Sequence, residues 1–202
     1  EKKVMLVHQI IYLGEKDSIA FHGEVDITYE QLQKEVVHYR NYLYKIGVRT
    51  GDNVGLLLRN SPAFVYAYMA IVSLGAVCVP INYLLTAREV AYIVKDAKMR
   101  NLVLAETLDL ARPLENYGYS QEVAQHRISD IGNRHIPMED SAPLMDQEID
   151  EEQPCAIIYT SGTTGNPKGA VLTHKNLISD TVNFTKAMPV YENDNILCIL
   201  PL

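Results

Sequence analysis

Apolar side chains between residues 28 and 47 recur at helical spacing, with Leu32, Val36, Leu43 and Ile46 on one face. Thr28 and Gln31 form a capping-box pair ahead of that face and Gly47 follows it, so the pattern predicts a helix between them. Residues 53–59 (NVGLLLR) form a short apolar run and predict a buried strand. Ser61-Pro62 places an N-cap before a proline at the first helical position, predicting a helix that runs to Gly75. Residues 76–81 (AVCVPI) predict a second buried strand. Thr86 and Glu89 give another capping box, opening an amphipathic helix through Val90, Ile93, Val94 and Ala97, and residues 101–105 (NLVLA) follow as a strand. Earlier in the chain, residues 18–28 alternate around a glycine turn and predict a small hairpin. Later, residues 155–160 read as a strand, Thr173 as the cap of a helix, and residues 195–200 (NILCIL) as a last strand. Apolar strands alternating with amphipathic helices predict an α/β domain, a largely parallel sheet with flanking helices. Residues 109–152 sustain neither period and contain Pro137 and Pro143, which predicts a loop-rich segment.

Composition changes this picture little. With 202 residues, 48% apolar and 21% charged, the chain can bury one good core, or form one large domain with an incomplete edge. The net charge of −7 excludes a general nucleic-acid or anionic-membrane surface. The acid is concentrated: residues 109–152 hold eleven Asp and Glu against three Arg, the pattern of a solvated surface segment. His22, His38, His126 and His135 show no metal-ligand spacing. Cys78, Cys155 and Cys198 each sit inside an apolar run with no shared motif, which predicts buried, reduced thiols in a cytoplasmic protein. The apolar run at residues 4–13 is broken by His8 and Gln9, so it is neither a signal sequence nor a membrane span.

The chemistry concentrates in Tyr159-Thr-Ser-Gly-Thr-Thr-Gly-Asn-Pro-Lys-Gly169. From Thr160 to Gly169 this run holds four hydroxyl side chains, three glycines and one lysine. Glycines let backbone N–H groups approach phosphate oxygens, hydroxyls add donors, and a lysine adds a mobile point charge. Such a loop fits a nucleoside triphosphate. It is not a Walker A loop, which would need a glycine at Pro167 and a hydroxyl at Gly169, and it contains no GxGxxG. A plain Gly/Ser/Thr linker would not sit between two apolar segments with a lysine and a proline inside it.

SGTTGNPKG, preceded by IIYT and followed by VLTHKNL, closely resembles the signature of the adenylate-forming superfamily. That superfamily holds acyl-CoA and aryl-CoA synthetases, firefly luciferase and the adenylation domains of peptide synthetases. Segments ahead of the loop, in family order, extend the resemblance: Ile27-Thr-Tyr-Glu-Gln-Leu32, Asn60-Ser-Pro62, Ser73-Leu-Gly-Ala76, Val79-Pro-Ile-Asn82 and Leu85-Thr-Ala-Arg-Glu89 with Ile93 and Asp96. It thins across residues 106–150. Asn82 and the LLTARE run look more like fatty-acyl-CoA synthetases than like peptide-synthetase domains.

The resemblance implies that residues 1–202 are the N-terminal portion of the large AMP-binding domain, with the rest of that domain and a C-terminal domain beyond them. It implies a two-step reaction. A carboxylic acid, here a fatty acid, attacks the α-phosphate of ATP and expels pyrophosphate; the thiol of coenzyme A then attacks the acyl adenylate and releases AMP. Alternatives are an aryl-CoA ligase, an adenylating enzyme that loads a carrier protein, and a non-catalytic nucleotide-binding module. Thr160, Ser161, Gly162, Thr163, Thr164 and Gly165 are expected around the β- and γ-phosphates, with Lys168 neutralising their charge and Thr164 contacting Mg²⁺. Against these roles, Ser161 and Thr164 could cap turns and Lys168 could be a solvated loop lysine. Tyr159 reads as strand core, Asp96 as a helix-end residue, and His174 as a surface or cap-adjacent histidine. No catalytic residue is expected within the 202 residues, so the isolated chain is expected to be inactive and to self-associate through an exposed sheet edge.

Overall fold

Local capping sets where the helices begin. Thr28 Oγ1 accepts the Gln31 amide at 3.2 Å and Gln31 Oε1 accepts the Thr28 amide at 2.8 Å, and α1 (Tyr29–Lys45) starts at that pair. The computed structural model describes residues 5–137, 141–144, 146, 148–160, 166–191 and 194–198. Ser61 Oγ caps α2 (Pro62–Ser73) through the Phe64 amide at 3.3 Å. Thr86 and Glu89 close the second box at the start of α3 (Ala87–Asp96), and Thr173 with Asn176 closes a third at α6 (His174–Ala187). Gly75 ends α2 at φ +69°, a conformation that favours glycine. A 3₁₀ turn over Val7–Tyr12 precedes them all.

The hairpin at residues 18–28 is present as β1 (Ile19–Phe21) and β2 (Ile27–Thr28), paired antiparallel. The main sheet has six strands: β3 (Asn53–Leu57), β4 (Val77–Pro80), β5 (Asn101–Leu104), β6 (Ala124–Arg127), β7 (Pro154–Thr160) and β8 (Lys168–Thr173). Their order is β6-β5-β3-β4-β7-β8, parallel throughout except for the β7–β8 pair. The chain steps one way from β3 to β4 and back past β3 to β5. Because such crossovers are right-handed, α2 and α3 must fall on opposite faces. Two apolar clusters show it. Val54, Leu56, Cys78 and Val103 pack with Val36 and Leu43 of α1 and Ala70 of α2. Leu57, Val79, Leu102 and Leu104 pack with Val90, Ile93 and Val94 of α3 and Leu114 of α4 (Ala111–Asn116). Gly55 lies against the second cluster, where a Cβ would come within 2.2 Å of Leu102 Cδ2.

Two sequence expectations need correction. The segment 109–152 is loop-rich as expected, yet it also supplies α4, the edge strand β6 and α5 (Ile128–Gly132), and it buries Leu110, Leu114, Ile131 and Ile149. These elements are four to six residues long, too short to show a period, and β6 reads Ala-Gln-His-Arg. Residues 194–198 form no strand, and Ile196 and Leu197 are 76% and 83% exposed; an apolar run becomes a strand only where a ladder partner exists. Residues 199–200 of that expected strand lie outside the described residues. Cys78 and Cys155 are buried free thiols as expected, but Cys198 is exposed.

Candidate functional site

Both described ends of the signature run lie in a pair of antiparallel strands. β7 enters as Cys-Ala-Ile-Ile-Tyr-Thr, with Cys155 and Ala156 buried and Ile158 and Thr160 exposed. β8 returns antiparallel, pairing Thr160 with Lys168, Tyr159 with Gly169 and Ile158 with Ala170. Lys168 is therefore a strand residue, where the sequence suggested a loop position: its backbone is held by the ladder while its exposed side chain stands opposite Thr160. A strand here was hidden by the Asn-Pro-Lys-Gly composition. Ser161, Gly162, Thr163, Thr164 and Gly165 lie outside the described residues, so Thr160 and Lys168 are the site residues whose placement is defined.

Beside the hairpin tip is a cleft of ≈ 450 Å³ between Asn166 and Pro167 on one side and Thr86, Arg88, Tyr92 and Tyr117 on the other. A neighbouring cleft of ≈ 420 Å³ adds Arg112 and Asn116 to Arg88 and Tyr117. Arg88 and Arg112 were not foreseen as site residues; nothing in the sequence spacing links them to the signature run. Both bring fixed positive charge, which suits a polyanionic ligand. The Glu89 carboxylate already occupies the N-terminus of α3, accepting the Thr86 amide at 2.8 Å and the Thr86 hydroxyl at 2.7 Å. Those bonds hold it below the ordinary carboxylate range.

Tyr159 is half-buried, as a strand-core side chain should be, and also donates its hydroxyl to Asp96 Oδ2 at 2.6 Å. Burial, then Asp96, pushes its phenol well above the ordinary value. His174 is cap-adjacent, as predicted, but not at the surface. It is fully buried at the opposite end of β8, where its Nδ1 accepts the Val7 amide at 3.1 Å. That bond and its burial remove it from any role as a base at the hairpin tip. Among the described residues no group of three or more His, Cys, Asp or Glu could hold a metal ion. No described helix is long and apolar enough to cross a membrane.

Residues 12–202 match the AMP-binding enzyme family. The chain belongs to that family. It is 32% identical over 181 residues to a feruloyl-CoA synthase of an Amycolatopsis species, covering 90% of this chain and 35% of that protein. It is 30% identical over 197 residues to 4-coumarate–CoA ligase 4 of Arabidopsis thaliana, covering 87% of this chain and 34% of that one. The fold is similar to o-succinylbenzoate coenzyme A synthetase (MenE) from Bacillus subtilis in complex with AMP, with a TM-score of 0.82 at 22% identity, over 96% of this chain and 49% of that chain. The mostly parallel α/β sheet with flanking helices thus matches the fold of the N-terminal part of that enzyme's large domain. The chain spans about a third of the length of these curated relatives.

Proposed function

We propose that this chain is the pyrophosphate-side part of an ATP-dependent acid–CoA ligase. The observation that carries this reading is the hairpin whose last pair, Thr160 and Lys168, brackets the signature run beside an arginine-bearing cleft. ATP enters as its Mg²⁺ complex, since Mg²⁺ takes its ligands largely from phosphate oxygens and water. Thr160, Ser161, Thr163 and Thr164 donate hydroxyls to the β- and γ-phosphates, and Gly162 and Gly165 admit the backbone. Lys168 neutralises charge as pyrophosphate leaves, and Thr164 is the residue that would hold Mg²⁺. Catalysis of this kind comes from positioning and from charge stabilisation in a preorganised site. Coenzyme A supplies the thiol for the second step.

A fatty acid is the proposed acyl donor, from Asn82 and the LLTARE run. A second reading, an aryl acid, is favoured by the relatives named for feruloyl-CoA and 4-coumarate–CoA. A cytoplasmic location is proposed from the buried, reduced thiols of Cys78 and Cys155. Pyrophosphate release by the longest open frame that contains these residues is the test, with ATP, coenzyme A and a panel of fatty, aryl and amino acids. Turnover of fatty acids supports the first reading, turnover of aryl acids replaces it with the second, and no turnover of any acid rejects both. The 202 residues alone are proposed to give no ATP–pyrophosphate exchange above blank, and exchange by that piece would overturn this.

Self-association of the isolated chain is proposed as well. β8 lies at the sheet edge, and Val171, Phe184 and Met188 are about half exposed. Sedimentation should show mass rising with concentration; a concentration-independent monomer refutes it.

A further inference from the structure

Gly169 faces Tyr159 across the hairpin, one pair before Thr160 and Lys168. A Cβ on Gly169 would lie 3.0 Å from Tyr159 Cζ and 2.7 Å from Ile157 Cγ2. The φ of Gly169 is not in the left-handed region, so glycine is needed here for space and not for conformation. The tyrosine ring occupies the room that a side chain would take. On its other side, the Tyr159 hydroxyl reaches Asp96, the last residue of α3. A carboxylate there opposes the helix dipole, and the phenol gives it a donor. The same helix presents Arg88 and Tyr92 to the cleft that Asn166 and Pro167 complete. One side chain therefore connects both strands of the hairpin to the helix that forms the other wall of the site.

We propose that Tyr159 is a positioning residue: seated over Gly169 and tied to Asp96, it sets Thr160 and Lys168 against α3 for phosphate binding. Its consequence for ATP rests on the functional reading above, while the clamp itself does not. Amide hydrogen exchange in the 202-residue chain tests the clamp without nucleotide. Tyr159→Phe and Asp96→Ala should each speed exchange at residues 160 and 168–170 by about three- to tenfold, and the double variant should be no faster than either single one. Asp96→Asn keeps an acceptor and should stay within about twofold of wild type. The β3 amides serve as the fold control. Independent, additive effects of the two substitutions, or unchanged exchange, would overturn the clamp.

Titration with ATP·Mg²⁺ tests the consequence. Tyr159→Phe and Asp96→Ala should lose about three- to tenfold in affinity at an unchanged thermal midpoint, with Asp96→Asn restoring it. A lowered midpoint with wild-type affinity would make the tyrosine merely structural. Wild-type protein that does not bind ATP·Mg²⁺ would sink the functional reading and the positioning role together, leaving the exchange measurements to judge the clamp.

Discussion

Lowering the pH from 6.5 to 4 should destabilise the folded chain by on the order of 3 kcal/mol through His174 alone. The imidazole is fully buried, and burial, with the neighbouring His8 adding to it, lowers its pKa from 6.5 to about 4. Geometry gives the same sign. Nδ1 accepts the Val7 amide, so the folded state needs the neutral ring, and a proton there would break that bond. Between those two pH values the unfolded chain binds the proton and the folded chain does not. Stability is therefore full above pH 6.5, falls as the pH drops, and levels off below about 4. Beside the ring stands His8, whose Nε2 meets Asp146 at 2.8 Å; Arg40, which acts on His8, donates to the Ala142 carbonyl at 3.0 Å. His8 and His126 are also lowered by burial and steepen the same limb. Asp146 acts elsewhere: burial raises its pKa, but bonds from Gln9 and His8 outweigh this and leave it below 3.8. Urea melts at pH 7, 6, 5 and 4 would measure the limb. His174→Asn, which keeps an acceptor near Nδ1 without titrating in this range, should flatten it. An equally steep limb in that variant would assign the acid sensitivity to other groups.

What the sequence disclosed, and what it hid, follows the range of the forces involved. Capping is a four-residue affair, so Thr28, Ser61, Thr86 and Thr173 announced the helices they start. Strands buried on both faces announced themselves by apolar runs at residues 53–59, 76–81 and 101–105. β6 and β8 did not, because edge strands need only one partner and can be polar; their pairing comes from β5 and β7. The burial of His174 depends on a residue 167 positions away, and no local pattern reports that. At the site, residue types were legible in the signature run, but the placement of Lys168 on a strand was not. Neither was the wall formed by Arg88, Tyr92 and Tyr117, since only the packing of α3 and the end of α4 beside the hairpin creates it.

Lys168→Ala should weaken ATP·Mg²⁺ binding by about 1.5–3 kcal/mol, the range for a hydrogen bond to a charged group, or roughly ten- to a hundredfold in Kd. The ladder with β7 fixes the Lys168 backbone opposite Thr160, so the ammonium searches a small volume around the hairpin tip at limited entropic cost. An exposed loop lysine without that anchor would contribute far less, near the value of a surface ion pair. Lys168→Arg keeps the charge but replaces a compact ammonium with a broader planar fork, and should recover only part of the loss. Lys175→Ala provides the control: that lysine pairs with Glu151 and Glu152 beyond the far end of β8 and should bind ATP·Mg²⁺ like wild type. Raising the salt concentration should shrink the difference between wild type and Lys168→Ala, because the interaction is between charges reached by solvent. Equal affinities in the two proteins would remove Lys168 from the phosphate site, and a loss matched by Lys175→Ala would reduce its effect to net charge.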